Sequence, residues 1–443
     1  MFDFIKERYE ATRLSIRHLN RIDPNVMVFV VYGMLYDMML NLYNPFTAKY
    51  LERLGGGSMG ISMLNAAPGL VAIFVLLPGL FIVGRFRAKK MVTAIFFLLS
   101  RVILLFAVFI PFLPREYRAL TFIVLISAMN FPNAVSQTSL QSFLGTVFDG
   151  RMRSTAISMR TKFGNIIIPV TTLTTGLIIG YIPQTDGQRL ITYQIFFFLA
   201  FIVGLFEIRT FLKFNEKEPA PNPDEAAPQE KHPALREQLA VVGEALRNKQ
   251  FIAYLVPTII FYYAWHSGWA LGSVYFIEDL GANEFWLALF LVSSGIASFA
   301  TAGRWNRLIQ KHGNDLALVL GAVGLTVNMA LYMLCTNVYT MALCHLFAGM
   351  VTTGFNIAVL NGLLGATPDK NRMIYIGVFN TFMNVSLAVA PMVAQIFISA
   401  YGARLSLGIV SGMRTLALIP LFLYTARRRK ARLAAEGGES IDQ

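Results

Sequence analysis

A single aspartate stands inside an otherwise uncharged stretch, VMVFVVYGMLYDMMLNLYNPF, residues 26–46. Asp37, Asn41 and Asn44 follow at i, i+4 and i+7, one stripe of a helix, with Tyr32 and Tyr36 beside it and Pro45 closing it. A charged carboxylate deep in apolar surroundings costs about 3 kcal/mol on membrane-insertion scales. Such a group has two uses. It takes up and releases a proton, or it is neutralised by an arginine or capped by amide and phenol groups. Elsewhere, Asn130, Asn133, Gln137 and Gln141 recur at i, i+3, i+7 and i+11. One amide is ordinary glue between helices, whereas four on one stripe suit a wetted wall. Tyr262, Trp265, His266 and Trp269 share another face. His266 either carries protons near neutral pH or is a hydrogen-bonded core histidine. His345, Thr352, Thr353 and Asn356 form a further polar set, and Asn380 and Asn384 lie one turn apart. No nucleophile–base pair, metal cluster or phosphate loop stands out, so neither an enzyme nor a bound cofactor is expected.

The elements that must position these groups follow from composition. The chain has 443 residues, 55% of them hydrophobic and only 14% charged, with a mean hydropathy of +0.55. Soluble domains carry about 25% charged residues, so most of this chain is expected in lipid. Twelve apolar segments lie at 26–46, 58–84, 91–113, 119–147, 155–182, 190–212, 250–276, 284–303, 315–335, 338–366, 373–400 and 405–426. Each is near or above the ~20 residues a membrane helix needs. The expected fold class is therefore all-α: twelve transmembrane helices. The net charge of +13 lies in short clusters between apolar stretches, which marks topology rather than nucleic-acid binding. Arg85, Arg87, Lys89, Lys90, Arg151, Arg153, Arg160, Lys162, Arg304, Arg307, Lys311, Lys370 and Arg372 share one side with the basic amino-terminal region, the central linker and the tail RRRKAR. Lys49, Arg53, Arg115, Arg118, Arg189 and Arg404 are on the other. This bias predicts a multi-pass protein of the inner or plasma membrane with both termini cytoplasmic. The polar, basic amino terminus argues against a cleavable signal peptide. Cys335 and Cys344, the two cysteines, have neither CxxC spacing nor a histidine cluster, which argues against a metal site or a disulfide framework.

Residues 213–249 divide the chain into halves at 1–212 and 250–443. This linker opens Pro- and Glu-rich, the composition of a solvated segment. It ends with Leu235, Leu239, Val242 and Leu246 on one helical face. That helix either lies on the membrane surface or docks on a neighbour. The halves resemble each other. Tyr50-Leu51-Glu52-Arg53-Leu54-Gly55 lines up with Phe276-Ile277-Glu278-Asp279-Leu280-Gly281, and Gly84-Arg85-Phe86 falls at the same offset on Gln310-Lys311-His312. Leu144-Gly145 and Asp149 likewise match Leu364-Gly365 and Asp369. Six spans, a basic linker and six related spans describe a duplicated, pseudo-symmetric bundle.

With these features the chain resembles the major facilitator superfamily. That family's loop signature, Gly-x-Leu-x-Asp-Arg-x-Gly-Arg-Lys, is degraded here. Gly84-Arg85-Phe86-Arg87-Ala88-Lys89 keeps the basic cluster, and Asn306 to Asn314 keeps Leu308, a basic residue and Gly313, but Gly84 and Gln310 stand where the signature has Asp. The run from Asp37 to Asn41 to Pro45 is loosely similar to a first-span signature of drug–proton antiporters, one residue short. The resemblance implies a secondary transporter working by alternating access, with its first, fourth, seventh and tenth spans lining a central cavity. The expected solute is small, organic and amphipathic. The partners are then that solute, the bilayer and protons, with no nucleic acid. Asp37 and His266 are the expected proton-coupling groups. Tyr32, Tyr36, Asn41, Asn130, Asn133, Gln137, Tyr262, Trp265, Trp269, Asn356, Asn380 and Asn384 are the expected substrate-binding residues. Arg85, Asp149, Arg153, Lys311, Asp369 and Arg372 are the expected gating residues. Export of a lipophilic compound is favoured; uptake of a small metabolite or organic anion is the alternative, and a non-transporting sensor or assembly factor a third. Arg101 and Arg414 lie within the third and twelfth spans, peripheral in such a fold. There they are expected to pair with backbone carbonyls or with Asp37.

Overall fold

The computed structural model describes residues 23–85, 89–148, 150–215, 235–368 and 371–438, and its regular structure is helical throughout. The first span is Pro24–Asn41, continued by a tight turn at Asn44–Phe46 and the helix Thr47–Arg53. The second is Ser58–Arg85, the third Lys89–Phe106 with a 3-10 extension Ala107–Phe112, the fourth Arg115–Val147, the fifth Gly150–Tyr181 and the sixth Asp186–Phe211. A linker helix, Leu235–Arg247, precedes the seventh span, Lys249–Val274, the eighth, Glu284–His312, the ninth, Asn314–Leu334, and the tenth, Val338–Ala366. The last helix, Arg372–Gly438, is two spans joined at Gly402, whose φ of 74° and ψ of 163° break the helical path. All twelve predicted segments fall on these helices. Among the described residues, nine helical stretches are both long and apolar enough to cross a membrane, the last two spans counting as one.

Local chemistry explains where the helices begin. Asp23 accepts from the backbone N–H of Asn25 at 2.9 Å with Pro24 behind it, a start that satisfies an orphan donor and presets φ. Thr185 and Gln188 form a reciprocal capping box before the sixth span. Asn248, Asn283 and Asn337 each cap a span of the second half. The repeat is visible in the backbone: Gly55 and Gly281, at matched positions, both turn the chain with positive φ, 91° and 63°.

The chain gathers into two compact units. One takes in residues to Thr47, Phe74–Pro114 and Val124–Gln229; the other takes in Ala48–Ile73, Arg115–Ile123 and Glu230–Gln443. In the first unit Phe29, Phe97, Phe143, Phe211 and Phe214 pack a buried aromatic core. There the first span is tied to the end of the sixth: Asn25 donates to the Asn215 carbonyl at 3.0 Å and accepts from its N–H at 2.8 Å. In the second unit Ala245 and Val242 of the linker helix pack against the core, while Leu246 stays exposed. Of the two positions expected for that helix, its carboxy-terminal part takes the docked one.

Two expectations change. The helix of the first span stops at Asn41, so Asn44 leaves the Asp37 stripe and is exposed. The fifth span begins at Gly150 rather than near 155, which carries Arg160 further inside it.

Candidate functional site

The Asp37 carboxylate accepts a hydrogen bond from Arg160 Nη2 at 2.9 Å, the arginine side chain 29% and the aspartate 11% exposed. Reciprocal glycines make room for the pair. A Cβ on Gly33, one turn before Asp37, would meet Arg160 Cγ at 2.4 Å, and one on Gly164, one turn after Arg160, would meet Asp37 Oδ2 at 2.6 Å. The arginine stem thus lies flat on the first span and the carboxylate flat on the fifth. Of the two uses open to Asp37 from sequence, pairing with an arginine is present, and the pair is not sealed. Asn41 donates to the Asp37 backbone carbonyl at 2.7 Å, and its own carbonyl accepts from Thr172 at 3.0 Å. Asn41 therefore braces the first span against the fifth.

A second pair lies deeper. Arg101 reaches Glu207 of the sixth span with Nη2 at 2.9 Å and Nε at 3.2 Å, the two side chains 1% and 0% exposed. Its Nη1 donates to Ser100 at 3.1 Å and to Asn133 at 3.3 Å, and Ser100 donates to Asn133 at 2.8 Å. Tyr36 faces the guanidinium at 5.8 Å. The expectation that Arg101 would seek Asp37 or backbone carbonyls is corrected: its counter-ion is the Glu207 carboxylate of the sixth span. The signal was available, since one acid and one arginine in two apolar spans must be neutralised somewhere. The arrangement commits Asn133 to the third span. Tyr32 is buried in the aromatic core against Phe97 and Phe211. Asn130 donates to its own helix at Ile126, Gln137 is half-buried, and Gln141 is exposed.

In the second half His266 is buried and shares a 2.9 Å hydrogen bond between Nδ1 and Ser386 Oγ. Tyr262 and Trp265 pack against the imidazole, and Trp269, which is exposed, meets it edge-on. Arg414 donates to three backbone carbonyls: Leu325 at 2.7 Å, Trp265 at 3.1 Å and Ala264 at 3.2 Å. The carbonyl expectation holds for this arginine. Its guanidinium lies over Gly268, where a Cβ would meet Nη2 at 2.2 Å. Asn380 and Asn384 are half-buried and Asn356 is exposed. His345 stacks on Phe290 and Tyr332 and bonds its own helix at Met341.

The family model described as the Major Facilitator Superfamily matches residues 29–327 and 258–441, which together cover nearly all of the chain. The chain belongs to the Major Facilitator Superfamily. Solved structures of the same fold include the nucleoside transporter NupG, 12% identical with a TM-score of 0.69 over 90% of this chain and 98% of that one. A D-xylose–proton symporter is 13% identical with a TM-score of 0.65, covering 91% and 98%. A bacterial homologue of the iron transporter ferroportin, in its inward-facing state, is 10% identical with a TM-score of 0.62, covering 90% and 98%. At such identities the likeness is one of fold. No curated protein matches the chain.

The structure places the residues expected to gate at helix ends or outside the described residues. Arg153 donates to the Gly145 carbonyl at 3.1 Å, Lys311 is exposed and Arg372 half-buried. Asp149 and Asp369 lie outside the described residues, as does the side chain of Arg85. A further cluster was not foreseen. Within the second compact unit Arg53 Nε contacts Glu284 Oε1 at 2.7 Å, with side chains 10% and 0% exposed. Ser62 donates to Gln395 at 2.8 Å, and Gln395 donates to Ser58 at 3.1 Å. Beside them, Gly69 sits on the eleventh-span backbone, where a Cβ would lie 2.6 Å from Ala388 N. These contacts lie at the end of the spans opposite the basic connections. At that same end burial raises the carboxyls of Glu278 and Asp279 above the ordinary range; Asp279 and Glu52 push Glu278 further up, and Arg404 opposes the shift at Asp279.

Proposed function

We propose that the chain is a secondary transporter that moves a small amphipathic organic solute by alternating access, with Asp37 as its proton-coupling group. The observation that carries this reading is the Asp37–Arg160 pair, which is only partly closed off on its arginine side. Protonating Asp37 would remove the charge that holds Arg160, so the arginine could re-pair elsewhere and the first and fifth spans would lose a tie. A proton drives a conformational equilibrium only by binding one state more tightly than the other, and an ion pair made in one state and released in the other supplies that difference. His266, Tyr262, Trp265 and Trp269 form the aromatic part of the proposed solute site, with Asn380, Asn384 and Asn356 as polar contributors. In this reading both termini are cytoplasmic, the linker 213–249 joins two six-span halves, and the basic helix ends with Arg153, Lys311 and Arg372 serve the cytoplasmic gate.

Export of a lipophilic compound fits the aromatic lining around His266. Proton-coupled uptake of an organic anion is the second reading. It is favoured by Arg160, whose guanidinium, once released by a protonated Asp37, would suit a carboxylate on the solute. The test begins with a thermal-shift screen of the purified protein to find a stabilising solute. Proteoliposomes with an imposed pH gradient then report flux. Accumulation on the acidic side marks exchange against protons, and accumulation on the alkaline side marks symport. Asp37→Asn is expected to abolish gradient-driven accumulation while the solute still raises the melting temperature. Unchanged coupling in Asp37→Asn removes Asp37 from the mechanism. A solute that binds but never crosses leaves a sensor or assembly factor as the reading.

A further inference from the structure

The two cysteines of the chain meet. Cys335 and Cys344 place their sulfurs 3.2 Å apart, both as free thiols. Cys335 ends the ninth span and Cys344 lies in the second turn of the tenth, across a connection of only a few residues. That hairpin is held from several directions. Tyr275 donates its hydroxyl to the Cys335 carbonyl at 2.5 Å, Arg404 Nε donates to the Met333 carbonyl at 3.1 Å, and Asn337 caps the tenth span by accepting from Thr340 N at 2.9 Å. The backbone on both sides of the thiols is therefore fixed while the thiols face each other. A disulfide needs its sulfurs at about 2.05 Å, against the 3.2 Å that now separates them.

Compartment decides whether such a pair is oxidised. The ninth span starts just after the basic end of the eighth helix, residues 304–311, and its 21 residues rise about 31 Å at 1.5 Å per residue, the thickness of the hydrocarbon core. The cysteines thus lie at the opposite end of the span from those basic residues. Basic connections mark the cytoplasmic side. On this orientation, which the inference shares with the proposed function, the thiols lie toward the extracytoplasmic side, where disulfides form and persist.

We propose that Cys335 and Cys344 form an intramolecular disulfide in the membrane-embedded protein, stapling the outer ends of the ninth and tenth spans. The oxidant is the disulfide of an extracytoplasmic thiol–disulfide oxidoreductase. Cys344, half-buried where Cys335 is buried, gives up its proton and attacks that disulfide, forming a mixed disulfide and releasing one thiolate of the donor. The thiolate of Cys335 then attacks Cys344 Sγ and expels the second donor thiolate. The two protons leaving the chain's thiols end on the donor's two sulfurs. The chain's cysteine pair is oxidised by two electrons and the donor reduced by two. The tenth span is thereby held to the ninth at one end and left free to move at the other.

The full-length protein, expressed in cells with an oxidising extracytoplasmic compartment, is solubilised in excess N-ethylmaleimide, then reduced and labelled with an isotopically heavy maleimide. Peptide mass spectrometry is expected to find the heavy label on both cysteines. Both cysteines carrying the light label would overturn the proposal. Orientation is read separately by placing Tyr339→Cys in a Cys335→Ser, Cys344→Ser background, Tyr339 being 69% exposed in the same hairpin. Labelling of intact cells by a membrane-impermeant maleimide is expected. If only the opened inner face is reached, the orientation and the disulfide fail together. If the outer face is reached and the wild-type thiols are still free, the disulfide alone fails.

Discussion

Each half of the molecule seats an arginine on a glycine of a neighbouring helix, and the halves differ in what the guanidinium then finds. In the first half Arg160 lies along Gly33 and ends on Asp37, and Arg101 lies along Gly204 and ends on Glu207. Glycine and acid are one helical turn apart in both. In the second half Arg414 lies over Gly268, but no acid follows, and the guanidinium is satisfied by carbonyls of the seventh and ninth spans. Counter-charge separates the halves. Exposure separates the two pairs of the first half: 1% and 0% for Arg101 and Glu207 against 29% and 11% for Arg160 and Asp37. A sealed pair anchors helices, whereas a half-open pair can trade its partner for a proton.

The sealed pair should give the largest effect. Removing one member of a buried ion pair strands the other charge and costs about 3–5 kcal/mol. Arg101→Leu and Glu207→Leu, each alone, are expected to lose most of the monodisperse protein in detergent size-exclusion chromatography. The double change Arg101→Leu with Glu207→Leu removes both charges and should recover much of the loss. A double variant no better than its parents would show that packing around Gly204, not charge, holds this site. Asp37→Asn is expected to fall well short of either single variant in its effect on melting temperature, because that pair is less deeply buried. Equal destabilisation by Asp37→Asn and Glu207→Leu would erase the distinction between the two pairs.

The glycine seats come next. An alanine at Gly33 would press on the middle of the Arg160 stem, at 2.4 Å from Cγ and 2.6 Å from Nε. At Gly204 the nearest atom is Arg101 Cδ at 2.8 Å. Overpacking of this kind costs about 1–3 kcal/mol. Gly33→Ala should cost more than Gly204→Ala and should also disturb gradient-driven transport, since it lifts Arg160 from Asp37. Thermal melts with parallel flux assays check both orders.

The twelve spans were legible because hydrophobic length and basic connections are local properties of sequence, and the matched hexapeptides ending at Gly55 and Gly281 announced the duplication. Partnerships across helices were not. Arg160 reads as one member of a basic topology cluster at the start of the fifth span, and only the packed helices show it facing Gly33. Glu207 sits near the end of an apolar run and resembles a boundary residue until Arg101 comes into contact with it. The stripe from Asp37 to Asn44 failed at Asn41 because a helical period says nothing about where a helix stops. Cys335 and Cys344 have no motif spacing, and only the tight connection between the ninth and tenth spans brings them together.

The smallest effect is expected where a lone intramembrane cation would ordinarily suggest the greatest. Arg414 is 2% exposed, yet its partners are carbonyls in helices rather than an acid. Deleting it strands no charge, and the carbonyls of Ala264, Trp265 and Leu325 lie in helical backbone, where they accept from N–H groups one turn on. The change also relieves the cost of burying a guanidinium. Replacing buried ionic groups with apolar side chains of similar volume is often neutral or stabilising. Arg414→Met, which keeps an unbranched chain over Gly268, is therefore expected to melt within about 1 kcal/mol of wild type or above it, in contrast to Arg101→Leu. A loss as large as that of Arg101→Leu would show that the three carbonyl bonds carry the seventh, ninth and twelfth spans together, and the halves would then differ in partner chemistry alone.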